Sequence, residues 1–137
     1  MSNKEDNFKE QFKQALISTA KVISEDYKLD VKKIDKDLSS KKLDFFDITN
    51  LSHKNDFIRL RAQTDSGALK KKFSNSEIFN KNLPNNPSCK SLYNLAEKIR
   101  YEVLGTKMLK GVGKNLRENY NHKIASIRKD QIKNKED

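Results

Sequence analysis

Phe8, Phe12, Ala15, Leu16, Thr19, Ala20 and Ile23 recur at steps of three and four residues, the spacing that gathers side chains on one face of an α-helix. Asn7 is a candidate N-cap, with Glu10 three positions on at capping-box spacing. From Tyr27 to Ile34 the period changes to alternation: Tyr27, Leu29 and Val31 against Lys28, Asp30 and Lys32. That pattern predicts a half-buried strand, and the stretch from Lys42 to Ile48 is its candidate partner in a small β-hairpin. Two short strands would need the first helix as a cover.

Beyond Asn50 the helical period returns, with Ile58, Ala62, Leu69 and Phe73 on one face. Asp65 interrupts that stripe, and Gly67 weakens a helix interior by on the order of 1 kcal/mol relative to alanine. A break or kink near 65–67 is therefore expected. The segment NKNLPNNPS, Asn80 to Ser88, reads as a loop, after which Ser88 or Ser91 can cap a helix with Leu92, Leu95, Ala96, Ile99 and Val103 as its buried stripe. Gly105 is a natural stop, and a last helix starting near Gly113 would use Leu116, Tyr120, Ile124 and Ile127. The expected fold is mostly α, about four helices with a small β-hairpin after the first, in a single domain over 1–130. Residues 131–137 form a charged tail expected to fray.

Composition narrows the function classes. The chain has 137 residues, 35% of them charged, with a net charge of +10. Residues 1–52 hold 10 Lys and 10 Asp/Glu, so all of the excess, 19 Lys/Arg against 9 Asp/Glu, follows residue 52. An excess of this kind attracts an acidic protein segment, nucleic acid or an anionic surface, although much of it is expected to be solvated surface. The N-terminus carries no apolar run of a signal peptide, and no window approaches the roughly 18 apolar residues of a membrane span. A cytoplasmic protein with no membrane partner and one reduced thiol, Cys89, is expected.

Candidate chemistry is sparse. His53, His122 and Cys89 are scattered along the chain, and metal sites need three or four converging ligands. Gly111-Val112-Gly113-Lys114-Asn115 lacks both the earlier glycine and the following Ser or Thr of a phosphate-binding loop. No catalytic residue, metal site or bound cofactor is expected on this chain. Glu97 and Arg100 are three apart and can pair on one helical face, while Glu102 points elsewhere.

The run LYNLAEKIRYEVLGTKMLKGVGKN, Leu92 to Asn115, resembles the T subunit of aerobic cobaltochelatase, the CobT family. The shared pattern is a helix carrying E-x-x-R-x-E-x-x-G, here Glu97, Arg100, Glu102 and Gly105, followed by Met108 and then Gly111, Val112, Asn115 and Leu116. Upstream, DSGAL (Asp65 to Leu69) resembles the family's D-S-x-A-L helix, and Phe8 to Ile23 its opening helix. The resemblance implies the N-terminal module of that subunit, a non-catalytic, chaperone-like assembly component in cobalt insertion during cobalamin biosynthesis. It implies as partners an AAA+ ATPase subunit and a large corrin-binding subunit, which would handle ATP, magnesium and cobalt. The sequence departs from longer members of the family, whose acidic linker and metal-binding domain do not appear in these 137 residues. Glu97, Arg100, Glu102, Gly105, Met108 and Asn115 are the expected partner-contact residues. The alternative reading is a small basic helical nucleic-acid-binding protein, which the charge supports but no recognition motif does.

Overall fold

The computed structural model describes residues 2–29 and 53–136. These form five helices: α1 (Ser2–Ser24), α2 (Lys54–Phe73), α3 (Ser76–Lys81), α4 (Pro87–Met108) and α5 (Lys110–Glu136). Helix α2 is the axis of the assembly, packing against α1, α4 and α5, while α4 and α5 also pack on each other. No described helix is long and apolar enough to cross a membrane.

Helix α1 buries Leu16, Ala20 and Ile23 of the predicted stripe, and it begins at Ser2, ahead of the expected cap at Asn7. Leu16 joins Leu60 in a small cluster flanked by Phe12 and Phe57. The Phe12 and Phe57 rings meet edge to face at 5.0 Å, a favoured aromatic geometry. The larger cluster holds Ala20, Ile23 and Leu29 against Ala62, Ala68 and Leu69 of α2, closed by Tyr101, Val112 and Leu116.

The expected β-hairpin is not supported, since the described residues contain no strand. Where its first strand should begin, Glu25 takes a left-handed φ of 57° as α1 ends. Asp26 then builds a turn: its side chain accepts from the Lys28 amide at 3.1 Å and its carbonyl from the Leu29 amide at 3.1 Å. This is the local competition with extended structure that Asp offers. Tyr27 is consequently exposed while Leu29 is buried, so the two do not share a strand face. The remainder of the predicted hairpin, residues 30–52, lies outside the described residues.

Helix α2 runs unbroken through Asp65 and Gly67. Residues 64–69 are all buried because neighbours lie on three sides, and a helix enclosed in this way loses its amphipathic period. Its start is fixed by Asp56, which accepts from the His53 amide at 3.2 Å and from Arg59 at 2.9 Å.

The short α3, capped by Asn75, was not anticipated. Its Phe79 lies 4.9 Å from Tyr93 of α4. The cap of α4 is Asn86 rather than a serine. Its side chain accepts from the Ser88 amide at 2.9 Å and the Cys89 amide at 3.3 Å, and Pro87 opens the helix, where its missing N–H costs nothing. Nor does α4 stop at Gly105. It continues to Met108, and Leu109 alone, in extended conformation, turns the chain into α5.

All four glycines therefore sit inside helices, and close packing explains two of them, Gly105 and Gly113. A Cβ at Gly105 would stand 2.3 Å from each terminal carbon of Leu69, and one at Gly113 would stand 2.6 Å from Cγ2 of Thr106. The first lets α4 close on α2 and the second lets α5 close on α4. Leu69 is completely buried and has no room to retreat. Gly105→Ala should therefore destabilise the fold by about 1–3 kcal/mol through overpacking, despite the better helix propensity of alanine. Thermal melts of Gly105→Ala, Leu69→Ala and the double variant check this, and the two substitutions should cost less together than the sum of each alone.

Candidate functional site

The polar residues singled out from the sequence do converge, but around the buried stretch of α2. Ser66 and Asp65 are adjacent on that helix and each reaches a different neighbour. Ser66 Oγ donates to Glu102 Oε1 at 2.5 Å, and the Tyr120 hydroxyl donates to Glu102 Oε2 at 2.7 Å. Glu102 thereby ties α2, α4 and α5 together while itself buried, with Lys98 Nζ at 3.9 Å as its counter-charge. A carboxylate out of water needs several such donors to offset its lost hydration. Burial, then the bond to Glu102, holds the Tyr120 phenol well above its ordinary value. Burial also pushes up Tyr101, the neighbouring core tyrosine.

Asp65 is almost fully buried. Asn115 Nδ2 donates to its Oδ2 at 2.8 Å, joining α2 to α5, but its Oδ1 has no hydrogen-bond partner. Burial raises the Asp65 carboxyl above the usual carboxylate range, against the weaker opposing pull of Asn115 and of the Arg61 charge.

A second constellation closes the C-terminal end of α2. Arg100 donates through Nε to Glu97 Oε2 at 2.8 Å and through an Nη to Glu97 Oε1 at 2.7 Å. The same guanidinium reaches the Phe73 carbonyl at 2.7 Å, and Ser74 Oγ donates to Glu97 Oε1 at 2.5 Å. The last carbonyls of a helix lack intrahelical donors and carry partial negative charge. Arg100 supplies both a donor and a positive charge there. Its hydrogen bond to Arg100 is the main cause that keeps the Glu97 carboxyl below its ordinary range.

Of the six expected contact residues, five enter these internal arrangements: Glu97 and Arg100 at the end of α2, Glu102 and Asn115 in the buried network, and Gly105 against Leu69. Arg100 keeps an exposed outer side. Met108 lies on the surface, 43% exposed. The residues missed from the sequence are Ser66 and Tyr120, which hold Glu102. In the sequence Ser66 stands out only within the DSGAL resemblance and Tyr120 only as part of an apolar face.

A cleft of about 230 Å³ lies among α1, α2 and α5, between Phe12, Phe57, Lys54, Arg61, Asn115 and Glu118. Among the described residues no three His, Cys, Asp or Glu side chains are grouped to hold a metal ion. His53 sits at the start of α2 and Cys89 is exposed in the first turn of α4.

The family model described as cobalamin biosynthesis protein CobT matches residues 6–137. No curated protein and no solved structure matches the chain.

Between the unfolded and the raised folded pKa of Asp65, the native chain holds a proton that the unfolded chain has released. Raising the pH through that window therefore lowers stability. Asp65→Asn keeps an oxygen to accept from Asn115 and removes the charge. Its stability should decline less than that of the unaltered chain as pH rises from the ordinary carboxylate range toward neutrality. Urea melts across that range test this, and parallel curves for the two proteins would count against it.

Proposed function

We propose that this chain, which belongs to the CobT family of cobalamin biosynthesis proteins, acts as the N-terminal helical module of the T subunit of an ATP-dependent cobaltochelatase. The family match over residues 6–137 carries this reading. The module is an assembly component without a reaction of its own. ATP and magnesium are handled by an AAA+ ATPase partner, and cobalt and the corrin by a large subunit. The chain contributes rigid helices that hold those partners in place, in the manner of a chaperone.

The polar geometry supports a structural role for the motif. Each oxygen of Glu102 is occupied by a hydroxyl from this same chain, which leaves the carboxylate poorly disposed to act on a substrate. The E-x-x-R-x-E-x-x-G residues set how α2, α4 and α5 sit together, and the exposed parts of Arg100 and Met108 are what this corner offers to a partner.

The test is co-elution of the purified chain with the AAA+ ATPase subunit in the presence of ATP, followed by cobalt insertion with the large subunit added. Association with the ATPase subunit is expected, as is insertion that depends on this chain. Absence of any association with either subunit would remove the assembly role. Met108→Glu should weaken the association roughly tenfold, equivalent to about 1.4 kcal/mol, with little shift in the thermal melt, since the side chain is 43% exposed.

A further inference from the structure

Leu92, Leu95, Ile99 and Val103 occupy one face of α4, at offsets of three, four and four residues. That spacing normally marks the buried side of a helix. Here Tyr101, Glu102 and Gly105 are the buried residues of α4, and the four aliphatics are 68%, 52%, 52% and 47% exposed. Helix α5 repeats the feature, with Ile124 and Ile127 exposed one and two turns beyond Tyr120. Single exposed aliphatics need no explanation, but a run of them along one helical face marks a contact surface.

The surrounding charge says what kind of surface would cover it. The two carboxylates of α4 are already committed inside the chain, Glu97 to Arg100 and Ser74 and Glu102 to Ser66 and Tyr120. Lys98 of α4 and Lys123 of α5 both lie over the Tyr120 ring, at 5.9 and 5.7 Å. Burial and then the nearby Lys98 charge depress the Lys123 ammonium. Two cations are thus brought together beside an apolar stripe, and the nearby Glu102 carboxylate, 3.9 Å from Lys98, is shared with Ser66 and Tyr120. A second copy of this face would bring like charges together, which is unfavourable.

We propose that the outer face of α4, continued by Ile124 and Ile127 of α5, docks an acidic amphipathic helix of a partner protein. Its apolar side would cover Leu92 to Val103 and its carboxylates would meet Lys98 and Lys123. This is recognition of a helix by an apolar face, with charge setting the choice of partner. It deepens the assembly reading and rests on it, since it names the chemistry of the contact.

The probes are two synthetic 20-residue helical peptides with the same leucine stripe, one flanked by Glu and the other by Lys, labelled for fluorescence anisotropy against the full chain. The Glu peptide should bind at least tenfold more tightly, and its affinity should fall as salt is raised. Ile99→Glu should abolish that binding and Lys123→Glu should reduce it at least fivefold, both with unchanged melting temperature. Equal binding of the two peptides, or binding unaltered in both variants, overturns the proposal. So does a concentration-dependent dimer that Ile99→Glu disrupts, because a second copy then occupies the face. A clear fall in melting temperature for Ile99→Glu also overturns it, because the stripe is then covered within the chain. If the peptides behave as expected but no chelatase subunit associates, the assembly reading fails and the docking surface stands.

Discussion

Six consecutive residues of α2, from Thr64 to Leu69, are removed from water, and the arrangement of the other helices follows from that requirement. An isolated helix buries one face, so enclosing a whole turn and a half takes neighbours on several sides. Here they are α1, α4 and α5. The composition of the stretch suits such crowding. Thr64, Ser66, Gly67 and Ala68 are small, and Leu69 fills the space that Gly105 leaves open. Thr64 returns its hydroxyl to the Leu60 carbonyl at 2.8 Å, which satisfies it without a partner from outside the helix. Asp65 and Ser66 cannot be satisfied in that way. They reach Asn115 on α5 and Glu102 on α4, and these two bonds fix which residues of α4 and α5 face the centre.

The run from Glu97 to Gly105 acts in this light as a code for helix packing. Glycine at 105 permits the approach, glutamate at 102 receives the hydroxyls that the approach brings near, and the Glu97–Arg100 pair seals the end of the helix being approached. Burying a carboxylate in this way is seldom the most stable solution, because desolvation offsets most of what pairing returns. Its effect is directional. A sliding or rotated α4 would leave Glu102, Ser66 and Tyr120 unpaired together, and each unpaired buried group costs on the order of 1–3 kcal/mol. Polar contacts thus specify one register where an apolar interface would tolerate several.

The amino-acid sequence disclosed much of this, unevenly. The first helix, the Asn-rich loop and the family pattern between Leu92 and Asn115 were legible because each depends on local spacing. At Asp65, where periodicity suggested a kink, the helix runs on and the carboxylate bonds to Asn115. On α2 periodicity found the helix but suggested a break at 65–67, because a stretch enclosed on three sides has no polar face. It failed on Tyr27 to Leu29 because a side-chain bond from Asp26, worth one turn, outweighed two alternating apolar residues. On α4 the error was of another kind. The apolar stripe exists as read, but spacing identifies a face without saying whether the same chain covers it, and the face that packs contains Tyr101, Glu102 and Gly105 instead.

That division between a covered and an uncovered side is sharpest in α5. Its first three turns bury Val112, Leu116 and Asn119 against the centre. Beyond Tyr120 no described residue of α5 is buried, although the helix continues to Glu136. Helices of this length in water draw most of their stability from packing, not from intrinsic propensity. The N-terminal half of α5 obtains that packing from α2 and α4, whereas the distal half, with Ile124, Ile127 and Ile132 exposed, obtains little from the described fold. The exposed aliphatics of α4 lie along the same antiparallel pair. Among the described residues, polar bonds join α2, α4 and α5 inside, and most of the exposed large hydrophobic side chains lie on α4 and α5.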